Sequence, residues 1–315
     1  MPDDCFLGVD VGTGSVRAGL VSHDGRVLRT FSKDLKVHNP RPGMYMQSTE
    51  QMWESLTSAV RALGRVDGLS VRGVGFDATC SLVLVDKDGK AISIDPAGES
   101  QWDVLMWMDH RARAEADHIN RAAKGHRVLD FVGGKVSLEM QMPKLLWIKR
   151  NLPGAWKRAR HFFDLPDYLT WRATGGSEVR SLCSLVCKWN YEIGADGREI
   201  GWNEGFLRLI GLEDLASELG PASRLGNVAK SPGSALGRVC PAFAEECVLP
   251  LEAVVGASMI DAHAGALGML ACKDARSVCE VDCQLGLICG TSSCHMALSE
   301  EARFVPGELY LILRY

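Results

Sequence analysis

The stretch Gly8-Val9-Asp10-Val11-Gly12-Thr13-Gly14-Ser15-Val16-Arg17 constrains this chain more than any other. An apolar run from Phe6 to Val11 stops at closely spaced glycines and resumes as Val16, Ala18 and Leu20, with a turn at His23-Asp24-Gly25. A dinucleotide-binding loop needs a third glycine opening a helix, and here Arg17 stands at that place in a strand-like alternation. No Gly-Lys-Ser/Thr follows, which excludes a Walker loop. The segment therefore predicts a hairpin whose loop is rich in small residues and backbone N–H groups. Such a loop can approach phosphate oxygens closely. Asp10 ends the first strand beside it, where a carboxylate can hold a metal-bound water. An ordinary tight hairpin with a buried Asp fits the same residues.

A second segment echoes the first. Cys289-Gly290-Thr291-Ser292-Ser293-Cys294-His295 lays over Val11 to Arg17 with Gly, Thr and Ser coincident, and the apolar Leu285 to Ile288 precedes it. Two such hairpins suggest duplicated domains facing each other across a cleft, an arrangement suited to a nucleoside triphosphate. Between them, Val254 to Ile260 runs into Asp261 and then a helix crowded with Ala and Gly. A carboxylate at a helix start is favoured in its charged form. Asp261 reads either as a plain N-cap or as a base that accepts a proton from an attacking hydroxyl.

The remaining pattern is α/β. Val27 to Leu35 predicts a third strand, and residues 39–47 a loop, because two prolines and a glycine oppose regular pairing. Ser48 with Gln51 forms a capping box ahead of Met52, Trp53, Leu56, Val60 and Leu63 at helical spacing. That stripe reads as core. Val71 to Phe76 predicts a strand, and Leu82 to Ile94 a hairpin turning at Asp86-Lys87-Asp88-Gly89. Helices are expected at 109–124, 139–151, 166–174 and 261–271, a strand at 251–256, and a strand pair at 284–298. Residues 175–250 read as loops and short helices.

With 315 residues, about two domains are expected. The net charge of -4 gives no basic field for nucleic acid or an anionic membrane, and no apolar run is long enough to span a bilayer. The acidic amino terminus, Met1-Pro2-Asp3-Asp4, lacks the basic start of a secretory signal, so a cytoplasmic location is expected. The 11 cysteines are an odd count spread along the chain, which reads as reduced thiols. The pairs Cys183/Cys187 and Cys279/Cys283 are too far apart for a zinc knuckle. His263, beside Asp261, reads either as a residue that assists the base or as one that fills a small pocket and needs no role.

Together these residues resemble the FGGY carbohydrate kinases, particularly their ribulokinase-like branch, over about residues 5 to 307. Asp10, Gly12, Thr13, Ser15 and Arg17 match the family's first phosphate motif, in which Gly14 also lies. Gly290, Thr291 and Ser292 match the second, and Gly256 with Asp261 matches the segment bearing the base. Gly75-Phe76-Asp77-Ala78-Thr79-Cys80-Ser81 and Trp107-Met108-Asp109-His110-Arg111-Ala112 look like sugar-side motifs, as do Arg180 to Trp189 and the helix Glu139 to Trp147.

The resemblance implies an actin-like ATPase (ribonuclease H-like) α/β fold and phosphorylation of a ketopentose or pentitol, with ATP and Mg²⁺. The partners implied are a small sugar or polyol and a nucleotide. Asp261 would be the general base, Asp10 would hold Mg²⁺ through water, and Thr79, Asp109, Lys188 and Asp261 would face sugar hydroxyls. Lys188 reads equally as a surface lysine, and Asp109 as the cap of the following helix.

The family's second domain is comparable to the first, whereas this chain ends 25 residues beyond Gly290. The expected organisation is a complete sugar-binding lobe at 1–255 and a truncated start of the ATP-binding lobe at 256–315. Phe304-Val305-Pro306-Gly307 still fits the family; Glu308 to Tyr315 resembles a read-through or alternative splice end. Two readings stand, an active sugar kinase and a truncated, non-catalytic product retaining at most sugar or partner binding. Weak or absent catalysis is the expectation for the chain as it stands.

Overall fold

The computed structural model describes residues 3–64, 68–194, 198–270 and 284–299. Its opening hairpin joins β1 (Asp3–Val11) to β2 (Ser15–Ser22), and β3 (Val27–Asp34) extends the meander. Cys5, Leu7, Val9 and Val11 point inward while Phe6 faces out, the period of two that a half-covered sheet requires. The 39–47 loop differs from expectation. Its flanks pair as β4 (His38–Arg41) and β5 (Met44–Gln47), with Gly43 at a φ of 80° at the turn. Pro40 is tolerated because β4 is an edge strand, where a missing N–H costs no ladder bond.

Helix α1 (Thr49–Leu63) starts where predicted. Ser48 Oγ accepts from the Gln51 N–H at 3.4 Å, and Gly64 ends the helix at a φ of 65°. Met52, Trp53, Leu56, Val60 and Leu63 are buried beneath the sheet. Strand β6 (Leu69–Ala78) then runs parallel to β1, which places Asp77 opposite Asp10.

The predicted 82–94 hairpin is present in short form, with a bridge from Val85 to Ala91 and backbone bonds from Asp86 N–H to Lys90 O at 2.9 Å and from Ile92 N–H to Leu84 O at 2.8 Å. Leu82 to Val85 form β7 (Leu82–Asp86) and are buried on both faces, so the strand takes two other partners, β8 (Val104–Leu105) and β9 (Ala159–Asp164). Ile92 and Ile94 turn into the core.

Between β8 and β9 lie α2 (Arg113–Ala122), a 3₁₀ turn (Arg127–Val132), α3 (Gln141–Asn151) and α4 (Pro153–Arg158). Helix α5 (Leu165–Thr174) follows β9. Residues 175–250 hold short elements, as expected: β10 (Arg180–Ser181), α6 (Leu182–Lys188), β11 (Glu192–Ile193), β12 (Glu199–Gly201), α7 (Glu204–Leu209) and α8 (Glu213–Ser217). After them come β13 (Ala229–Lys230), β14 (Ala235–Arg238) and α9 (Pro241–Cys247). The last described elements are β15 (Val254–Gly256), β16 (Met259–Ile260), α10 (Asp261–Leu270), β17 (Leu285–Cys289) and β18 (Ser293–Ala297).

The main sheet has the order β14-β15-β6-β1-β2-β3, with β16 also pairing β6. One core lies between this sheet and α1, α5 and α9; a second fills the space among β7, α2, α3, α7 and α8. The first sheet thus continues past residue 255, through Ile260. Strands β17 and β18 form a separate two-stranded sheet against α10, where Ile288 sits over Gly265, the residue whose missing side chain allows that approach. Among the described residues, no helix is long and apolar enough to cross a membrane, and the eight described cysteines are free. Cys279, Cys283, Phe304 to Gly307 and the tail Glu308 to Tyr315 lie outside the described residues.

Candidate active site

Asp10 and Asp77 end adjacent parallel strands at the same level, and β16 delivers Asp261 from the other side of β6, since Met259 pairs with Asp77. Three carboxylates from three chain segments thus converge at the carboxyl ends of the strands, the edge where open α/β sheets bind ligands. Burial, and then the Asp10 carboxylate beside it, pushes Asp77 up to about 9. Burial also raises Asp261; Asp10 adds to this, while Lys188 and Arg17 oppose it. Asp77 was missed by residue-level reasoning, although Gly75 to Ser81 was singled out. The signal was available: an acid ends each of two apolar strands, and parallel neighbours put such ends side by side.

Asp10 bonds Arg17 across the hairpin at 2.7 Å, with the arginine side chain 63% exposed, so the pair contributes little to stability. The turn itself is closed by Gly12 N–H to Ser15 O at 2.9 Å. A Cβ on Gly14 would meet nothing within 4 Å, and one on Gly12 would meet only Ser15 O and the Asp10 carboxylate. Neither glycine has a positive φ. Their value is open space over the turn rather than backbone conformation. Thr13 is fixed from the first lobe: its carbonyl accepts from Gln47 Nε2 at 2.9 Å and its Oγ1 from Trp107 Nε1 at 3.0 Å.

The sugar-side residues divide. Thr79 is buried, its hydroxyl 3.1 Å from Ser81 Oγ, which accepts from the Trp107 N–H. Lys188 is no surface lysine: its side chain is 12% exposed and lies 3.8 Å from Glu139. Burial works against its charge, but Cys80 and Cys187, and then Glu139 and Asp164, act against that and raise its pKa. Asp109 is fully buried and saturated. Tyr45 N–H and Arg111 Nη2 bond one oxygen; Arg111 N–H and Nε bond the other. It clasps the 106–111 loop and leaves no oxygen turned toward a ligand, nor does it cap α2, which starts at Arg113. Lys144, also missed, is fully buried and ties the carbonyls of Met106 and Trp107 at 3.0 and 3.3 Å; burial lowers its pKa to about 8.

Asp261 is the first residue of α10, and its Oδ1 accepts from the Ala262 N–H at 2.8 Å. An N-cap bond would reach two or three residues on, so the plain cap geometry is not adopted. The second turn differs from the first by one residue. Val11 faces Val16 across four loop residues, whereas Cys289 faces Ser293 across Gly290, Thr291 and Ser292. Gly290 N–H bonds Ser292 O at 2.8 Å. The sequence echo is therefore not a geometric copy. Among the described residues, no group of three or more His, Cys, Asp or Glu side chains is placed to hold a metal ion directly. Two concavities of about 770 and 990 Å³ lie elsewhere, beside Arg224 and beside Val60 and Leu251. None of the motif residues lines them.

The model of the FGGY family of carbohydrate kinases, N-terminal domain, matches residues 5–214. An FGGY carbohydrate kinase domain-containing protein of Danio rerio is 46% identical over 96% of this chain and 55% of its own length. A D-ribulokinase of Saccharomyces cerevisiae is 36% identical over 96% of this chain and 45% of its own. A xylulose kinase structure from Rhodospirillum rubrum superposes with a TM-score of 0.70 at 20% identity, covering 84% of this chain and 51% of that one. The fold is thus that of the actin-like sugar kinases. The chain spans about half the length of the curated relatives it matches.

Proposed function

The chain belongs to the FGGY family of carbohydrate kinases, and from that premise we propose that it serves ATP-dependent phosphorylation of a ketopentose or pentitol of the D-ribulose or ribitol type. The observation that carries this reading is the meeting of Asp10, Asp77 and Asp261 beside the open Gly12–Ser15 turn. Asp261 takes the proton of the attacking hydroxyl, and its raised pKa strengthens it as a base. Thr79 and Lys188 present a donor-acceptor pair and a cation to sugar hydroxyls, and Asp109 shapes the site through the loop it clasps. Thr13, Gly14 and Ser15 offer backbone N–H groups to the transferring phosphate, with Arg17 beside them, while Gly12 closes the turn and leaves the space over it open. Thr291 and Ser292 offer theirs from the second turn, which Gly290 closes. Asp10 would hold Mg²⁺ through water, next to Asp77; when bound, the ion neutralises charge on the phosphates.

The proposed lobes are 1–255 and 256–315, and the pairing of Met259 and Ile260 with β6 supports drawing the junction a few residues later. A net charge of -4 argues against nucleic acid as partner, and the free thiols suit a reducing cytoplasm.

The test is ATP consumption with D-ribulose, ribitol, L-ribulose or xylulose, compared with Asp261→Asn. The variant should lose about 10²–10⁴-fold in turnover while still binding sugar; unchanged turnover would remove Asp261 as base. A second reading, sugar binding without turnover, is favoured by the second turn standing on a two-stranded sheet of its own. In that case sugar raises Tm and ATP does not.

A further inference from the structure

Asp261 sits on a short turn, and the residues around it are fastened to one place in the first lobe. Ser258 is held twice. Its carbonyl accepts from Ser181 Oγ at 2.6 Å, and its own Oγ donates to Asp167 Oδ1 at 2.8 Å. The same Asp167 oxygen accepts the Ser181 N–H at 2.9 Å, so the buried carboxylate joins both segments. Two residues on, the Ile260 N–H reaches Cys183 Sγ at 3.5 Å. Beyond the acid, His263 Nδ1 lies 3.0 Å from the same sulfur. Burial raises the thiol and lowers the imidazole to about 4, so this contact joins two neutral groups.

The turn is thereby bracketed, at 258 and 260 before the acid and at 263 after it, by residues 181–183 at the β10–α6 junction. The sulfur touches both sides of Asp261: it accepts weakly from the Ile260 N–H, and it shares a hydrogen with His263 Nδ1 in a direction set by the imidazole tautomer. The segment carries no further strand pairing after Ile260, so side-chain fastening must supply what a ladder would.

We propose that Cys183, together with Asp167 and Ser181, positions Asp261: the thiol and the carboxylate hold the acid-bearing turn at a fixed height above Asp10 and Asp77. This rests on the reading of Asp261 as general base. The residues act through Asp261 and touch no substrate. A displacement of about 1 Å at a base is enough to cost up to about 10²-fold in rate, which is the scale on which the bracket matters.

The experiment compares the wild-type chain with Cys183→Ala, Cys183→Ser and Ser258→Ala. It reads amide exchange at Ile260, the carboxyl carbon resonance of Asp261 (identified by its loss in Asp261→Asn), and kcat against KM. Cys183→Ala should speed Ile260 exchange about five-fold, the scale of one lost hydrogen bond, and move the Asp261 resonance. It should also lower kcat about 10-fold or more with sugar KM within about two-fold. Cys183→Ser should recover most of each change, and Ser258→Ala should move the Asp261 resonance from the other side. Unchanged exchange and an unmoved resonance in Cys183→Ala would overturn the proposal, as would a kcat equal to wild type despite both changes. A wild-type chain that consumes no ATP defeats the kinase reading alone, since exchange and resonance still decide whether the bracket sets Asp261.

Discussion

The two glycine turns share residues and differ in what stands beneath them. The first is carried by β1 and β2 inside a seven-stranded sheet, with α1 below and Gln47 and Trp107 holding Thr13 in place. Among the described residues, the second is carried by β17 and β18 as a two-stranded sheet, resting on α10 through contacts such as Ile288 over Gly265. The difference teaches that a motif specifies a backbone shape, while stiffness comes from neighbours distant in sequence. A single hairpin is marginal in water unless a third strand or a helix covers it.

The widest contrast should come from the cores beneath the turns. Leu7→Ala removes a 1%-exposed side chain from the β1 core and should cost about 2–5 kcal/mol. Ile288→Ala, on a half-buried strand, should cost no more than about 1 kcal/mol globally. Urea midpoints measure both, and equal costs would mean that the second hairpin is integrated as deeply as the first.

A pH-dependent effect tests the polar interior of the first lobe at the end of β9, where Asp164 faces Leu82. Burial, then Asp167, pushes Asp164 up to about 7. The folded state therefore binds this proton more tightly than the unfolded chain does. Its contribution is fully present below the unfolded carboxylate value near 4 and is lost as pH rises toward about 7. Stability relative to Asp164→Asn should decline across that window in thermal melts; a flat difference would show that Trp189 and Gln141, which bond Asp164, offset its burial.

The smallest effect probes the tie at Thr13. Thr13→Val leaves the Trp107 indole N–H without its acceptor and should cost about 1 kcal/mol. The matching change in the other turn, Thr291→Val, should leave Tm unmoved. A shift at Thr291 as large as that at Thr13 would erase the distinction between the turns.

Much of the frame was legible because it is local. The first hairpin, the Ser48-capped α1, and the helix behind Asp261 each announce themselves within a dozen residues. What escaped is non-local. That β7 also pairs with β8 and β9 depends on segments up to some seventy residues on. Asp109 looked like a sugar ligand or a cap because its true partners, Tyr45 and Arg111, are chosen by the fold of a loop. Lys144 resembles any helical lysine until the carbonyls of Met106 and Trp107 are seen to converge on it. Asp77 could be found only by setting β6 against β1 in register.

That register has a thermodynamic consequence. Asp10 and Asp261, beside an Asp77 that burial keeps protonated at neutral pH, repel a bare phosphate anion, and Arg17 offsets only part of this at an exposed position. A divalent cation and a polyphosphate should therefore each improve the other's affinity by the same factor, because linkage between two ligands is reciprocal.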